Sequence, residues 1–521
     1  MSKYLYGAAV QGIQNFIFQT NQLSDIVGAS ELVENICTTL FRELVHESGD
    51  EYDKNSIVHA AGNIKHIFTD EKKCQDIVRD FPRKVVEYAP GITISQAVVT
   101  LDDVGTDFDK KVNDLEDKLR AQRNRPMAST TLGLMAMHRN RNTGLPDVEC
   151  VDEEHFDAAT LAKCYHLNKE GKIVRKRTTH KLCRIAFGIQ DIDQKQIAYN
   201  IEDITDKNDW IAIIHADGNG LGQIVQEFGD KPEGFKQFSK DLDKNTKAAA
   251  VSAFEYIRQI YTWGDIIPIR PLVLGGDDFT VICRADLALD YVIKFIEEFE
   301  SKNKFKGEKK TYELTACAGI AYIKSSFPFY YGYELAESLC SAAKKDTKKF
   351  NQECPASCIQ FHKVQDSFVE DYQDIVKREL HPTKDISFKF GPYYCSDQNK
   401  PAGRWSVAEL KDAANKLVSE EKEGNAIKSH IRQWLTLIHD GQTGKAGQKL
   451  WRMKELYRGS RKWLDLINKL TDNKVMRKEK DENKEEIDVT YYPAYDVLVQ
   501  HTINTQVTNN TQVTKEKEKT K

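Results

Sequence analysis

Apolar and polar positions along the chain predict two similar successions of strands and helices. In the first, short apolar runs alternate with longer stretches whose apolar residues recur every three or four positions. Its predicted elements are Tyr4–Val10, Asp25–Leu44, Ser56–Ala60 with Ile64–Phe68, Glu71–Tyr88, Ile92–Leu101 and Phe108–Arg123. The order strand, helix, hairpin, helix, strand, helix is typical of a ferredoxin-like α+β unit.

The same order returns about two hundred residues later. Its predicted elements are Asp209–Ile214, Lys236–Tyr261, Ile267–Leu274 with Phe279–Cys283, Leu287–Ser301, Leu314–Ile323 and Tyr331–Phe350. The two segments are interpreted as divergent copies of one α+β unit. The tip of the first hairpin, Ala61-Gly62-Asn63, carries no carboxylate, whereas the tip of the second one does.

The pattern changes between and after the two copies. The segment Pro126–Ile204 is less regular, and the stretch after residue 365 predicts helices at Val407–Leu417, Ala426–Ile438 and Leu450–Leu470. The charge run Lys474–Asp488 predicts a flexible connector, Tyr491–Gln500 is expected to fold back, and polar His501–Lys521 is expected to be disordered. The predicted domains are 1–125, 126–205, 206–364, 365–472 and 473–521.

Composition narrows the class of protein. The 75 Lys and Arg residues against 79 Asp and Glu residues give a net charge of −4, so any nucleic-acid contact must rest on local patches. The 11 cysteines are scattered, and no stretch approaches the apolar length of a membrane span. These features predict a cytoplasmic protein with reduced thiols and no membrane contact.

Three cysteines of the irregular segment, Cys150, Cys164 and Cys183, are candidate zinc ligands. Their spacing lacks the close cysteine pairs of zinc sites, so dispersed thiols are the preferred interpretation. A zinc site would be completed by His155, His166 or His180. The basic run Lys172–Arg184 fits either a phosphate contact or a solvated hairpin.

The tip of the second hairpin, Gly275, Gly276, Asp277 and Asp278, carries the strongest chemical signal. Two glycines tolerate positive φ and predict a tight two-residue turn. Adjacent aspartates repel each other and are poor strand formers. A Mg²⁺ or Mn²⁺ ion, which prefers hard oxygen ligands, would remove this repulsion. An ordinary solvated turn is the alternative interpretation.

A third carboxylate is predicted beside that tip. The apolar strand Ile211–Ile214 leads directly to Asp217. Because the first strand and the hairpin strands are neighbours in a ferredoxin-like sheet, Asp217 is expected to meet Asp277 and Asp278. Three carboxylates are typical of two-metal phosphoryl-transfer sites. Asp217 as a helix N-cap is the structural alternative.

Phosphate contacts are predicted from the same segment. Gly218 leaves room for close approach of a triphosphate, and Lys344 and Lys345 on the last predicted helix are candidate point charges for its phosphates. A solvated helix face is the alternative for the two lysines.

Together these residues resemble a known family. Asp217-Gly218-Asn219, the GGDD hairpin 275–278, and CAGIAYI (317–323) leading into AESLCSAAKK (336–345) resemble the palm of nucleotidyl cyclases, including GGDEF diguanylate cyclases. The GGDD form is closer to the large polymerase-cyclase subunit of type III CRISPR complexes. The segment 12–36 is similar to the first palm of its Cmr-type branch, and 389–394 with the following helices resembles its C-terminal domain more loosely.

The resemblance implies a fold class and an activity. The fold is α+β, with two ferredoxin-like palm domains, an irregular inter-palm segment and a C-terminal helical domain. Asp217, Asp277 and Asp278 would hold two Mg²⁺ or Mn²⁺ ions and join ATP into cyclic oligoadenylates, the second messengers of antiviral defence. The residues expected to contact nucleotide are Gly218, Asn219, Gly275, Gly276, Lys344, Lys345 and, in the first palm, Gly62 and Asn63.

Two departures from the family limit what the resemblance implies. No HD nuclease domain precedes the first palm, so DNA cleavage is not expected, and the inter-palm segment lacks a clear cysteine zinc signature. The implied partners are nucleoside triphosphate, subunits of an RNA-guided complex and target RNA; a free-standing defence cyclase is equally open. The alternative function is a non-catalytic nucleotide- or RNA-binding scaffold subunit. The intact Asp277-Asp278 pair favours the enzyme, because a scaffold has no need of mutually repelling carboxylates.

Overall fold

A four-stranded antiparallel sheet in the order β2-β3-β1-β4 forms the first unit. The computed structural model of the chain describes residues 3–60, 62–101, 108–124, 136–151, 153–167, 173–175, 180–205, 209–221, 224, 232–306, 311–365, 371–418, 421–472, 475–480 and 486–504. The elements of the first unit are β1 (Lys3–Gln11), α1 (Ile13–Ile17), α2 (Leu23–Asn35), α3 (Phe41–Val45), α4 (Gly49–Asn55), β2 (Ser56–Ala60), β3 (Asn63–Phe68), α5 (Glu71–Tyr88), β4 (Thr93–Leu101) and α6 (Phe108–Arg123). A π-helical turn, Ile36–Leu40, joins α2 to α3 where one helix is predicted.

Short elements connect the two palms. They are β5 (Asp147–Val151), β6 (Glu154–Asp157), α7 (Ala158–Cys164), β7 (Tyr165–Leu167), β8 (Ile173–Arg175), α8 (Lys181–Phe187) and α9 (Ile201–Ile204). In the described part of this segment the strands pair as two-stranded sheets, β5 with β6 and β7 with β8. The predicted irregular segment is therefore a set of small pieces packed against the palms.

The second unit repeats the strand order of the first and extends it. Its elements are β9 (Trp210–Asn219), α10 (Pro232–Ile260), β10 (Ile269–Gly275), β11 (Asp278–Arg284), α11 (Ala288–Lys302), β12 (Lys304–Lys306), β13 (Thr311–Glu313), β14 (Thr315–Lys324), α12 (Phe329–Phe350) and β15 (Cys358–Lys363). The sheet has the order β10-β11-β9-β14-β15-β17 and is completed by a strand from the C-terminal part, β17. The predicted fold class, two ferredoxin-like palms, is confirmed.

The edge of this six-stranded sheet is β10, and the chain protects it. Pro271 offers no N–H, and the pairing register with β11 shifts between Pro271 and Val273. The hydroxyl of Ser30, on α2 of the first palm, donates to the Leu272 carbonyl. The first palm therefore covers part of the second palm's open strand.

The C-terminal part is helical but contains a small sheet. Its elements are α13 (Tyr372–Ile375), β16 (Ile386–Ser387), β17 (Tyr393–Tyr394), α14 (Val407–Val418), α15 (Glu421–His439), α16 (Thr443–Leu456), α17 (Arg461–Thr471), β18 (Val475–Lys480) and β19 (Glu486–Tyr491), and residues 494–504 form a last helix, α18. No helix among the described residues is long and apolar enough to cross a membrane.

Three sequence predictions for this part are wrong. The predicted single helix Leu450–Leu470 is two helices, because the chain turns at 457–460. The predicted connector Lys474–Asp488 instead supplies β18 and β19, which pair with each other and with β16. His501, predicted to lie in the disordered tail, is buried on α18; the rest of that tail, from 505 on, lies outside the described residues. The predicted folding back of Tyr491–Gln500 is confirmed, since Val497 and Leu498 are buried.

Asp496 on α18 gives the fold a specific pH dependence. Its carboxylate is buried and accepts from the Tyr393 hydroxyl at 2.8 Å and from the Gly391 N–H at 3.3 Å. Burial raises the pKa of Asp496 to about 7. The folded state thus binds this proton more tightly than the unfolded state, and the contribution of Asp496 to stability falls as pH rises from about 4 to 7.

We expect Asp496→Asn to remove this pH-dependent loss, because the amide oxygen still accepts both hydrogen bonds and cannot ionise. The variant should gain roughly 2–4 kcal/mol over the wild type between pH 4 and pH 7. Urea unfolding at a series of pH values measures the difference. Asp440→Asn, at an exposed carboxylate, is the control. Parallel stability curves for the wild type and Asp496→Asn would contradict the assignment.

Candidate metal and nucleotide site

Neighbouring strands bring the predicted carboxylates together. Asp217 lies near the end of β9, and Asp278, the first residue of β11, pairs directly with it across the ladder. Asp277 lies in the turn of the β10–β11 hairpin, and Gly276, with φ 62°, is the other turn residue. The turn is therefore Gly276-Asp277 rather than the predicted Gly275-Gly276, because Gly275 still pairs with Asp278.

The turn is held from behind by the long helix α10. The Thr246 hydroxyl on this helix donates to the Gly276 carbonyl at 2.6 Å. Gly218, after Asp217, packs so closely that an added Cβ would lie 3.0 Å from the Asp277 Cβ. These contacts fix the position of the acidic turn relative to β9.

The three carboxyl groups are electrostatically crowded. Asp217 and Asp277 share a hydrogen bond, and burial together with that contact raises the pKa of Asp277. Burial and the nearby charge of Asp217 raise the pKa of Asp278 to about 7. The Asp278 side chain is 43% exposed overall, yet its Oδ1 is buried without a hydrogen-bond partner. Both shifts indicate that negative charge at this tip is only partly compensated.

Two basic side chains lie near the carboxylates. His215 Nδ1 is 3.1 Å from the Thr280 hydroxyl and 3.6 Å from Asp278 Oδ1. Burial lowers the pKa of His215, so its imidazole is neutral at pH 7. Lys344 forms an ion pair with Asp217 Oδ2 and donates to the Gly218 carbonyl at 2.8 Å. Lys344 is therefore the cation that partly compensates the cluster.

The structure separates the two lysines that the sequence paired. Adjacent helix positions point about 100° apart, and Lys345 is exposed and lines a different cavity, formed with Lys349 and Lys377. Lys344 alone lies with the carboxylates. The solvated-face interpretation holds for Lys345 and fails for Lys344.

The other residues predicted to contact nucleotide differ in their exposure and hydrogen bonding. Asn219 is buried and donates to Thr315 and Cys317 of β14 at 3.1 and 3.2 Å, so its amide faces the sheet. In the first palm, Gly62 has φ 78°, and its carbonyl accepts from Val10 at 2.8 Å. Asn63, which follows it, is exposed, while Ala61 lies outside the described residues.

Contacts between the palms supply residues that sequence reasoning missed. Gln14 of α1 donates to Glu337 Oε1 at 3.1 Å and to the Tyr333 hydroxyl at 3.3 Å. Phe18 stacks on Tyr333 with ring centroids 3.9 Å apart. Glu337 lies two turns before Lys344 on α12 and is a further negative charge that raises the pKa of Asp278. The seven-residue spacing of Glu337 and Lys344 was visible in the sequence as one helix face.

The predicted zinc ligands do not meet. Cys150 is exposed, Cys164 donates to Asp25 at 2.7 Å, and Cys183 accepts from Arg270 at 3.2 Å. Of the histidines, His180 contacts Tyr199, and the side chain of His166 lies outside the described set. Dispersed thiols, the preferred interpretation, describe these three cysteines.

The residues present fit divalent cations with oxygen ligands. Asp278 Oδ1 is an orphaned buried acceptor, and the repulsion among the three carboxyl groups is what a divalent ion removes. The ligand atoms of Asp217, Asp277 and Asp278 do not all lie within 4.8 Å of one another. Among the described residues, the group that meets this distance lies elsewhere in the chain. A shared ion would therefore require the three carboxylates to draw closer together than they lie here.

Comparisons with known proteins agree with this fold. Residues 210–352 match the family model described as Cas10/Cmr2, second palm domain, so the predicted resemblance is confirmed over the GGDD unit. No curated protein matches the sequence.

Solved structures extend the likeness over the chain. A Csm1-Csm4 cassette in complex with cA3 is similar at TM-score 0.55, and one in complex with AMPPNP at TM-score 0.51. A Csm1-Csm4 subcomplex of a type III-A CRISPR-Csm interference complex is similar at TM-score 0.51. Each match has 14% identity and covers 96% of this chain and 69% of the other. At this identity the likeness shows the fold.

Proposed function

We propose that the chain is a metal-dependent nucleotidyltransferase that joins ATP into cyclic oligoadenylates, as a subunit of a type III CRISPR complex. The observation that carries the proposal is the pairing of Asp217 with Asp278 beside Asp277, three carboxylates on neighbouring strands whose charge is only partly compensated. The match of 210–352 to a Cas10/Cmr2 palm, and the similar folds solved with cA3 and AMPPNP, support the choice of substrate and product.

In this proposal Asp217, Asp277 and Asp278 hold the metal ions. Bound Mg²⁺ or Mn²⁺ would lower the pKa of a ribose 3′-hydroxyl and stabilise the leaving pyrophosphate. Lys344, which lies against Asp217, would carry its positive charge towards the triphosphate. Gly218 keeps the approach beside Asp277 open, because any side chain there would meet that carboxylate.

In this proposal the first palm positions a nucleotide and supplies no catalytic group. Gln14 links α1 to Glu337 and Tyr333 on the helix that also carries Lys344. The hairpin tip at Gly62 and Asn63 has no carboxylate, so it would hold a nucleotide without activating it. The catalytic groups then come from one palm, and the relative placement of donor and acceptor nucleotides depends on both.

Incubation of the protein with ATP and Mn²⁺ tests the proposal. Pyrophosphate release and cyclic oligoadenylates, identified by mass spectrometry, are the expected products, with the chain alone or with a Csm4-type partner and target RNA. ATP binding without pyrophosphate release under all these conditions would favour the non-catalytic scaffold.

A further inference from the structure

The hairpin that follows the first palm brings three metal-ligating side chains to one point. His138 and Asp147 are joined by a backbone hydrogen bond, from the Asp147 N–H to the His138 carbonyl at 2.9 Å. His155 lies on β6, which pairs with the strand that Asp147 begins. The ligand atoms of His138, Asp147 and His155 all lie within 4.8 Å of one another. Backbone pairing therefore holds the three residues in place.

Asp147 is a buried carboxylate whose ion-pair contact in the described chain is with the ring of His155. Its side chain is only 7% exposed, and neither carboxylate oxygen has a hydrogen-bond partner. Asp157, its neighbour across the ladder, is equally buried but accepts from four donors on three residues, namely Thr143, Ala159 and Thr160. A buried acceptor left without donors costs about 1–3 kcal/mol, and more when it is charged.

We propose that His138, Asp147 and His155 bind a divalent transition-metal ion, with zinc as the expected occupant. Imidazole and carboxylate are ligands of this class of ion, whereas Mg²⁺ takes oxygen ligands. Bonds of about 2.0–2.2 Å in tetrahedral geometry place two ligand atoms about 3.3–3.6 Å apart. His155 Nδ1 and Asp147 Oδ2 are already 3.2 Å apart. The rings of His138 and His155 stack with their centroids 4.9 Å apart, which places the third ligand beside the other two.

The ion would stabilise a hairpin that has little apolar core. Val148 on β5 is 57% exposed, and most of this strand faces solvent. The hairpin leads directly into α7, where the Lys163 carbonyl packs so tightly on α2 that a Cβ at Gly28 would lie 2.2 Å from it. The metal would thus tie the hairpin to a helix that is docked on the first palm. This inference does not depend on the proposed function.

Metal analysis of the full-length protein, purified without chelator, tests the site. We expect about one zinc per chain in the wild type and less than about a tenth of that in His138→Ala and His155→Ala. His439→Ala is the matched control, because His439 also faces a carboxylate, Asp440 at 3.7 Å, but the described residues offer it no third ligand. Asp277→Asn should keep its zinc, which separates this site from the palm.

Spectroscopy and unfolding give independent readouts. Protein reloaded with Co²⁺ should show visible d–d absorption that both histidine variants lose. EDTA should lower the melting temperature of the wild type and leave that of His155→Ala unchanged. A wild type that holds no zinc, shows no Co²⁺ spectrum and does not respond to either treatment would overturn the proposal, as would variants that retain the metal.

Discussion

Asp277→Asn is expected to lower nucleotidyl transfer from ATP by about a thousandfold or more, equivalent to about 4 kcal/mol of transition-state stabilisation. The substitution keeps the shape of the side chain and its contact with Asp217 but removes one of the three charges that we propose to hold the ions. Pyrophosphate release with Mn²⁺ measures the loss. Asp265→Asn, at an exposed carboxylate shortly before β10, removes the same charge outside the site and is the control.

Stability provides a second readout that separates this role from a structural one. Burial and Asp217 raise the pKa of Asp277, so its ionised form is unfavourable in the folded, metal-free protein. Asp277→Asn should therefore unfold at a higher urea concentration than the wild type in EDTA at pH 8. The stabilisation by Mn²⁺ should shrink in the variant. A variant that is less stable in EDTA, or that keeps full activity, would contradict the assigned role.

Gly319→Ala is expected to destabilise the protein by about 3 kcal/mol or more, the upper range for overpacking a core. Gly319 lies in the middle of β14, directly under α12. An added Cβ would lie 2.0 Å from the Ala336 carbonyl oxygen and 2.5 Å from the Cys340 N. Both are backbone atoms, so the whole helix has to move. That helix carries Lys344, and its contact with Asp217 should be lost as well.

Alanine substitutions at two other glycines should cost less stability than Gly319→Ala. Gly332, on α12, would meet only the side-chain ends of Ile323 and Ile213, which can rotate, and alanine favours the helix. Gly332→Ala should therefore cost less than Gly319→Ala. Gly264 has open space around it, and Gly264→Ala should change stability by less than about 0.5 kcal/mol. Urea unfolding of the three variants checks the order, and equal costs would contradict the packing argument.

The sequence predicted the palms well because their elements are locally encoded. The amphipathic helix Glu71–Tyr88 and the hairpin Ser56–Phe68 have clear periodicity and turn residues, and the structure places them at nearly the same bounds. The meeting of Asp217 with Asp278 followed from the ferredoxin-like strand order, since that order makes β9 and β11 neighbours.

Features that depend on distant pairing were not visible in the sequence. The charge run after α17 becomes β18 only because β19 and β16 lie beside it. Gln14 meets Glu337 because the two palms dock, and no local pattern reports that docking. The metal-ligand cluster of the inter-palm hairpin was not visible for a related reason, because its histidines come together through backbone pairing and have no cysteine spacing that would mark them.

The covered edge strand β10 bears on how the chain behaves in isolation. Its bulge and Pro271 only partly protect the edge from pairing with another strand. Ser30 of the first palm donates a hydrogen bond to the Leu272 carbonyl. A second palm produced without the first would expose these backbone groups, which invite pairing with a copy of the same strand. Such a fragment is expected to self-associate and precipitate. The two palms are therefore expected to stay soluble only as one unit.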